Sequence, residues 1–270
     1  MTKIESAWQN LKTIDELASK KTVIHRLHPV AKLLTTLVFI LVAVSFDKYD
    51  LSGPLPLVLY PMALIILGDL PVGYLFKRLL IAAPFVLFVG IFNPLFDQTP
   101  LVQIGPVHLT GGWISFFSIL LRAAFTVIAA LILIATSGMN EIGMALEKLK
   151  VPRAFVLQLL FLYRYLSLLI EETIRILRAH SLRSLSGKGL GYRVWGSLVG
   201  QLLLRTVDRA QRIYQAMLCR GFTGEIRLSF TKKPGLGDVL FFTGWSCFFI
   251  VVRLCNIPML IGSLWMGVGG

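Results

Sequence analysis

The stretch Trp113-Ile-Ser-Phe-Phe-Ser-Ile-Leu-Leu-Arg122-Ala-Ala-Phe-Thr-Val-Ile-Ala-Ala-Leu-Ile-Leu-Ile-Ala-Thr-Ser137 decides the fold. Arg122 is its one charge. A helix needs roughly 17–25 apolar residues to cross the hydrocarbon core of a bilayer, and this run supplies them. The apolarity is continuous rather than alternating, so the run reads as a helix and not as a barrel strand. Further apolar blocks lie at 30–46, 51–67, 79–96 and 239–252. The last is short. It extends through 257–265 unless Asn256 and Pro258 break it or turn it back. The expectation is an all-α integral membrane protein with five transmembrane helices, or six if that extension crosses.

Composition agrees. Hydrophobic residues make up 56 % of the 270 and charged residues 15 %, with a mean hydropathy of +0.75. A soluble domain is nearer about 45–50 % apolar and about 25 % charged. The net charge of +13 does not point to nucleic acid, because the basic residues flank the apolar blocks instead of filling a separate soluble domain. Pro54, Pro56, Pro61, Pro84 and Pro94 punctuate the second and third blocks. A proline inside a membrane helix frees a carbonyl that neighbouring helices must satisfy, so these helices are expected to be packed. Residues 1–24 carry Lys and Glu throughout and no apolar core, so no cleavable signal peptide is expected.

Basic residues give the orientation. Segment 1–32 holds Lys3, Lys12, Lys20, Lys21, Arg26 and Lys32, and the 68–78 connection holds Lys77 and Arg78. The turn 47–50 has only Lys48, and the loop 97–112 has no Lys or Arg. Segment 138–235 carries sixteen of the twenty-seven. The loops thus alternate inside, outside, inside, outside, inside, as the positive-inside rule requires. Three regions follow: a transmembrane region at 1–137 with a cytoplasmic N-terminus, a cytoplasmic domain at 138–235, and a C-terminal transmembrane segment at 236–270. Arg122 lies near the outer edge of its block. It is expected to snorkel there, with pairing to a carboxylate or a helix end as the alternative.

The cytoplasmic segment reads as long amphipathic helices. A short one at 139–150 stops before Val151-Pro152. A second, from Arg153 to about Leu185, is apolar in its first half and turns amphipathic at Glu171 and Glu172. There Glu171 and Arg175 are spaced to pair. A third runs from about Trp195 to Arg220, with Val199, Leu203, Val207, Ala210, Tyr214 and Met217 on one face. Near the ends of the two long helices the sequence echoes itself. Ala179-His-Ser-Leu-Arg183-Ser184 and Ala216-Met-Leu-Cys-Arg220-Gly221-Phe222 both place Ala and Arg four apart, on one helix face, followed by a small residue. Alanine keeps that face low, and arginine projects a charged fork suited to carboxylates and carbonyls. The small residue lets the chain turn. Two readings stay open: a helix tip that docks on another protein, or a cation that simply favours a helix C-terminus.

Four stretches resemble the transmembrane T component of energy-coupling factor (ECF) transporters, and most of all its cobalt-type CbiQ family. His25-Arg-Leu-His28-Pro29-Val-Ala-Lys32 resembles that family's lead into its first span, with His28 where an aspartate is usual. Tyr163-Arg-Tyr-Leu followed by Glu171-Glu172 is similar to the approach to its first coupling helix. Ala179, Arg183 and Ser184, then Ala216, Arg220, Gly221 and Phe222, resemble its two coupling motifs. The resemblance implies a T subunit with no catalysis of its own. Its partners would be two ATPase subunits, a substrate-binding membrane subunit and the bilayer, in a bacterial or archaeal cell membrane. Arg183 and Arg220 would seat in the two ATPases. Cobalt uptake is the implied task; nickel or shared vitamin uptake is the alternative, and a membrane-embedded lipid-phosphate enzyme is a third reading.

The residues also mark what is not expected. Gly187-Lys188 is followed by Gly189, so there is no Walker A and no ATP hydrolysis on this chain. His25, His28, His108 and His180 are scattered, and Cys219, Cys247 and Cys255 form no CxxC pair. Neither a metal site nor a disulfide framework follows, and no cofactor is expected on this chain.

Overall fold

The structure, a computed structural model, describes residues 3–96, 100–104, 107–183, 192–224 and 235–255. The proposed sixth span at 257–265, with Asn256 and Pro258, lies outside the described residues. Apart from turns and one short hairpin, the described residues are helical. Its helices are α1 (Lys3–Ala18), α2 (Val23–Arg26), α3 (Pro29–Val44), α4 (Leu59–Gly68, preceded by a 3₁₀ turn Leu55–Val58), α5 (Val72–Gly90), α6 (Phe92–Phe96), α7 (Gly111–Lys148), α8 (Arg153–Arg183), α9 (Tyr192–Cys219) and α10 (Leu236–Leu254). Strands β1 (Pro100–Ile104) and β2 (Val107–Thr110) pair antiparallel within the loop of 97–112.

Among the described residues, four stretches are long and apolar enough to cross a membrane: Val72–Leu95, α7, α8 and α10. The shorter apolar helices Pro29–Val44 and Leu55–Gly68 join them. This is a multi-pass membrane protein. The outward faces say the same. Of nineteen residues in α5, only Leu75 and Gly90 are buried, while Ile81, Phe85 and Phe88 stand 66–75 % exposed. An apolar surface of that kind suits lipid and not water. It also corrects the expectation of packed helices. Helix α4, by contrast, does bury Tyr60, Pro61, Leu64 and Gly68.

The chain divides into two compact units. One comprises 17–138 and 232–270, the other 1–16 and 139–231. The first unit is a membrane bundle. Its centre is aromatic: Phe39 of α3 lies 4.8 Å from Tyr60 of α4 and 5.4 Å from Phe249 of α10, ring centroid to centroid. The buried Tyr60 hydroxyl is satisfied by Thr36 Oγ1 at 3.0 Å, and Thr36 also donates to the Lys32 carbonyl at 2.9 Å. In lipid every buried polar group needs such a partner.

Two arginines clasp the C-terminal end of α3. Arg122 of α7 donates to the carbonyls of Phe46, at 2.6 Å, and of Asp47, and to Ser118 Oγ at 2.7 Å. Arg253 of α10 donates to the Ser45 carbonyl at 3.0 Å and lies 5.0 Å from the centroid of the Phe46 ring. So Arg122 does not merely snorkel. It satisfies two carbonyls of the turn just past α3, close to a helix C-terminus, where a cation is stabilising.

Helix α7 is broken at Gly138, whose φ of 65° and ψ of 163° are not helical. Beyond it lies the second unit. Gly143 lets the end of α7 approach α8: a Cβ there would meet Leu160 Cδ2 at 2.7 Å. Lys150 takes a left-handed φ of 65°, and Val151 N–H reaches back to the Leu146 carbonyl at 3.2 Å. Pro152 then opens α8. Tyr163 of α8 donates to Asp15 of α1 at 2.6 Å.

Candidate functional site

The candidate site is built on α8 and α9. Both present large apolar side chains, and the two helices share a groove of about 460 Å³. Phe161, Tyr165 and Leu169 line it from α8; Ile213, Met217 and the following Phe222 line it from the other side. A carboxylate pins the pair beside this groove. Glu172 accepts from Arg205 of α9 at 2.7 Å and from Arg175 of its own helix at 3.1 Å. The sequence pointed to Glu171 as the partner of Arg175. The structure places Arg175 on Glu172, three residues away instead of four, because Glu172 also meets α9.

The second tip has a defined construction. Helix α9 ends at Cys219, and Gly221 adopts φ +79°. Phe222 N–H donates to the Met217 carbonyl at 3.0 Å, and Gly221 N–H to the Leu218 carbonyl at 2.9 Å. These are the paired back-bonds of a Schellman cap, with glycine in the left-handed position. Phe222 and Met217 line the same groove, which is the apolar contact that accompanies such a cap. Ala216, Met217, Arg220, Gly221 and Phe222 thereby acquire a physical reason. Glycine permits the turn and phenylalanine anchors it. Arg220, one residue past the helix, projects from the tip exposed, and Ala216 leaves the flank below it bare.

At the first tip Arg183 is the last residue of α8, exposed together with Ala179. Leu182 beside it is 82 % exposed. Ser184 lies outside the described residues. The structure does not bring the two tips together. The groove that holds Phe222 ends on α8 at Leu169, and Arg183 is fourteen residues farther along that helix. At the rise of an α-helix this is about 21 Å. The arrangement offers two separated cationic ends, not one composite site.

Among the described residues no three His, Cys, Asp or Glu side chains gather as metal ligands would. His25 and His28 serve structure instead. Both are buried, at 5 % and 3 % exposure. His28 stands at the N-terminus of α3, and its Nδ1 accepts from Val30 N–H at 3.2 Å. An aspartate at that position would do the same work, since both side chains offer an acceptor to the first turn. Asp238 was not singled out from the sequence. It accepts from Gly235 N–H at 2.8 Å and His28 N–H at 2.7 Å. The Gly-Leu-Gly-Asp run just before an apolar block was the available signal.

Comparison with known proteins gives the family. Residues 20–230 match the family described as cobalt transport protein, CbiQ. The energy-coupling factor transporter transmembrane protein EcfT of Lactococcus lactis is 28 % identical over 218 residues, 75 % of this chain and 81 % of that protein. EcfT of Bacillus subtilis is 27 % identical over 235 residues, 80 % and 87 % of the two chains. The nickel permease LarQ of Lactiplantibacillus plantarum is 29 % identical over a shorter 105 residues, 39 % and 38 % of the two. With its broken α7, its paired α8 and α9 and their tips all falling inside the matched region, the chain belongs to the cobalt transport protein family CbiQ.

Proposed function

We propose that this chain is the transmembrane coupling subunit of an ECF-type importer for cobalt. Segment 138–235 faces the cytoplasm and meets two ATPase subunits through Arg183 and Arg220. A separate membrane subunit binds the solute. The observation that carries this reading is the pair of exposed arginine tips at least about 20 Å apart along the α8 axis. Two separated forks suit two sockets, one on each of two motor subunits. The basic residues of the segment support its inner-side placement. Helix α8 is apolar enough to cross, but its groove partner α9 carries Arg205, Asp208, Arg209 and Arg212 and cannot return through lipid. Both therefore belong at the inner surface, the first half of α8 against the bilayer.

ATP binding on the motors would shift the two tips, and the α8–α9 pair, tied by Glu172, would carry that shift as one body. Hydrolysis belongs to the partners, and this subunit needs no cofactor. Ser184, Ala179 and Ala216 complete the tips as small residues beside the arginines. A nickel cargo is the second reading, favoured by the likeness to a nickel permease. The test is reconstitution with candidate ATPases and solute subunit. Arg183→Glu with Arg220→Glu should abolish copurification of the ATPases and ATP-driven ⁵⁷Co²⁺ uptake. Both persisting in the double variant would overturn the reading, and ⁶³Ni²⁺ uptake without ⁵⁷Co²⁺ uptake would move the cargo to nickel.

A further inference from the structure

The backbone passes between the two units three times, at 16/17, 138/139 and 231/232. Three points of the membrane bundle, Leu17, Thr136 and Asp238, are held by one short segment, His25–Lys32. At the first, His25 Nε2 lies 3.0 Å from the Leu17 carbonyl. A carbonyl only accepts, so Nε2 carries the proton, and in the neutral ring Nδ1 takes the Thr22 hydroxyl proton at 2.7 Å. At the second, the Lys32 ammonium, 3 % exposed, donates to the Thr136 carbonyl at 2.9 Å, two residues before the break at Gly138. The third passage lies outside the described residues; at the start of α10, after it in sequence, His28 N–H donates to Asp238, whose other oxygen holds Gly235 N–H. The first two passages also touch: a Cβ at Gly138 would lie 3.1 Å from the Cβ of Ala18.

We infer that His25, His28 and Lys32 are positioning residues for coupling: they gather the end of α1, the break in α7 and the start of α10 into one anchor, so that displacement of the 139–231 unit reaches α3, α7 and α10 together. The burial of a lysine at this point fits that role. Its charge is costly in a membrane bundle unless it has partners, and the carbonyls left free where α7 breaks are such partners. The transport consequence rests on the proposed function; the anchor itself does not.

The test has two arms on the full-length chain. In nanodiscs, without partners, Lys32→Met should raise amide hydrogen exchange together at 17–22, 134–139 and 235–240. A rise confined to 134–139 would overturn the anchor, reducing Lys32 to a local bond. In the reconstituted complex, Lys32→Met should lower the cobalt moved per ATP hydrolysed by at least about fivefold, the low end of a coupling free energy between sites, with ATPase binding retained. An unchanged ratio overturns the positioning role. If Lys32→Met does not insert, Asp238→Ala decides, because it removes the acceptor of the His28 N–H: the ratio should fall, and an unchanged ratio overturns it. A parent complex that hydrolyses ATP without uptake would sink the proposed function alone, leaving the exchange result to judge the anchor.

Discussion

The lead into α3 and the tips of α8 and α9 are both short motifs of charged, small and turn-forming residues, yet the fold treats them oppositely. In His25–Lys32 the side chains of His25, His28 and Lys32 are turned inward and bonded to carbonyls, a backbone N–H or a hydroxyl, and only Arg26 is exposed. At Arg183 and Arg220 the charges project outward, while the backbone beneath the second is fully capped. A motif that closes on itself stabilises the chain that carries it. A motif whose backbone is satisfied and whose charge is displayed is addressed to another molecule. The same contrast separates what mutations should do to the stability of the isolated subunit.

The largest effect should come from the exposed tips. Arg183→Glu with Arg220→Glu is expected to cut ATP-driven uptake by more than about a hundredfold, since lost charge-assisted contacts become repulsion. The midpoint of thermal unfolding of the isolated subunit should stay put; a fall in that midpoint would erase the distinction drawn here. Lys32→Met should lower the stability of the isolated subunit beside its effect on coupling. It is expected to destabilise the isolated subunit by about 2 kcal/mol, the loss of a buried charged hydrogen bond, as read from denaturant titration in micelles.

Gly221→Ala tests the cap beneath the tip. Space around Gly221 is open, so the cost is backbone alone, about 1 kcal/mol. Faster exchange of the Gly221 and Phe222 amides should report it, and Gly221→Asn should recover most of it. His28→Ala should cost about 1 kcal/mol through loss of the helix cap, and His28→Asp should restore it. If aspartate fails to restore it, His28 is not acting as a cap. Smallest of all, Glu172→Gln should loosen α8 from α9 by about 0.5 kcal/mol, because Arg205 and Arg175 are well exposed and solvent screens the pair. A double-mutant cycle with Arg205→Ala measures it.

Much of this was legible beforehand in some regions and not in others. The apolar blocks read directly as spans, because lipid demands a continuous run and the chain must supply it locally. The block at 51–67 was placed too early. Helix begins at Leu55, since Ser52 and Gly53 bond to Asp50 in a turn. The two tips were visible as an echo of Ala-x-x-x-Arg, and Gly221 was readable as a turn. Their separation was not visible, because it depends on how far along α8 the end of α9 lies. The pairing of Arg175 with Glu172, and of Arg122 with carbonyls 75–76 residues away, likewise required the packed structure.

The sequence by itself determined the class of molecule, its apolar runs, the uneven spread of basic residues between them and the places of Arg183 and Arg220 near the helix ends. Each depends on local composition or on neighbours within a helical turn. Only the tertiary structure decided that α5 stays bare while α4 is covered, that α7 breaks at Gly138 over a buried lysine, and that one eight-residue segment holds three distant points of the chain. Those outcomes depend on which helices meet, and that is fixed by packing between residues that no periodicity connects.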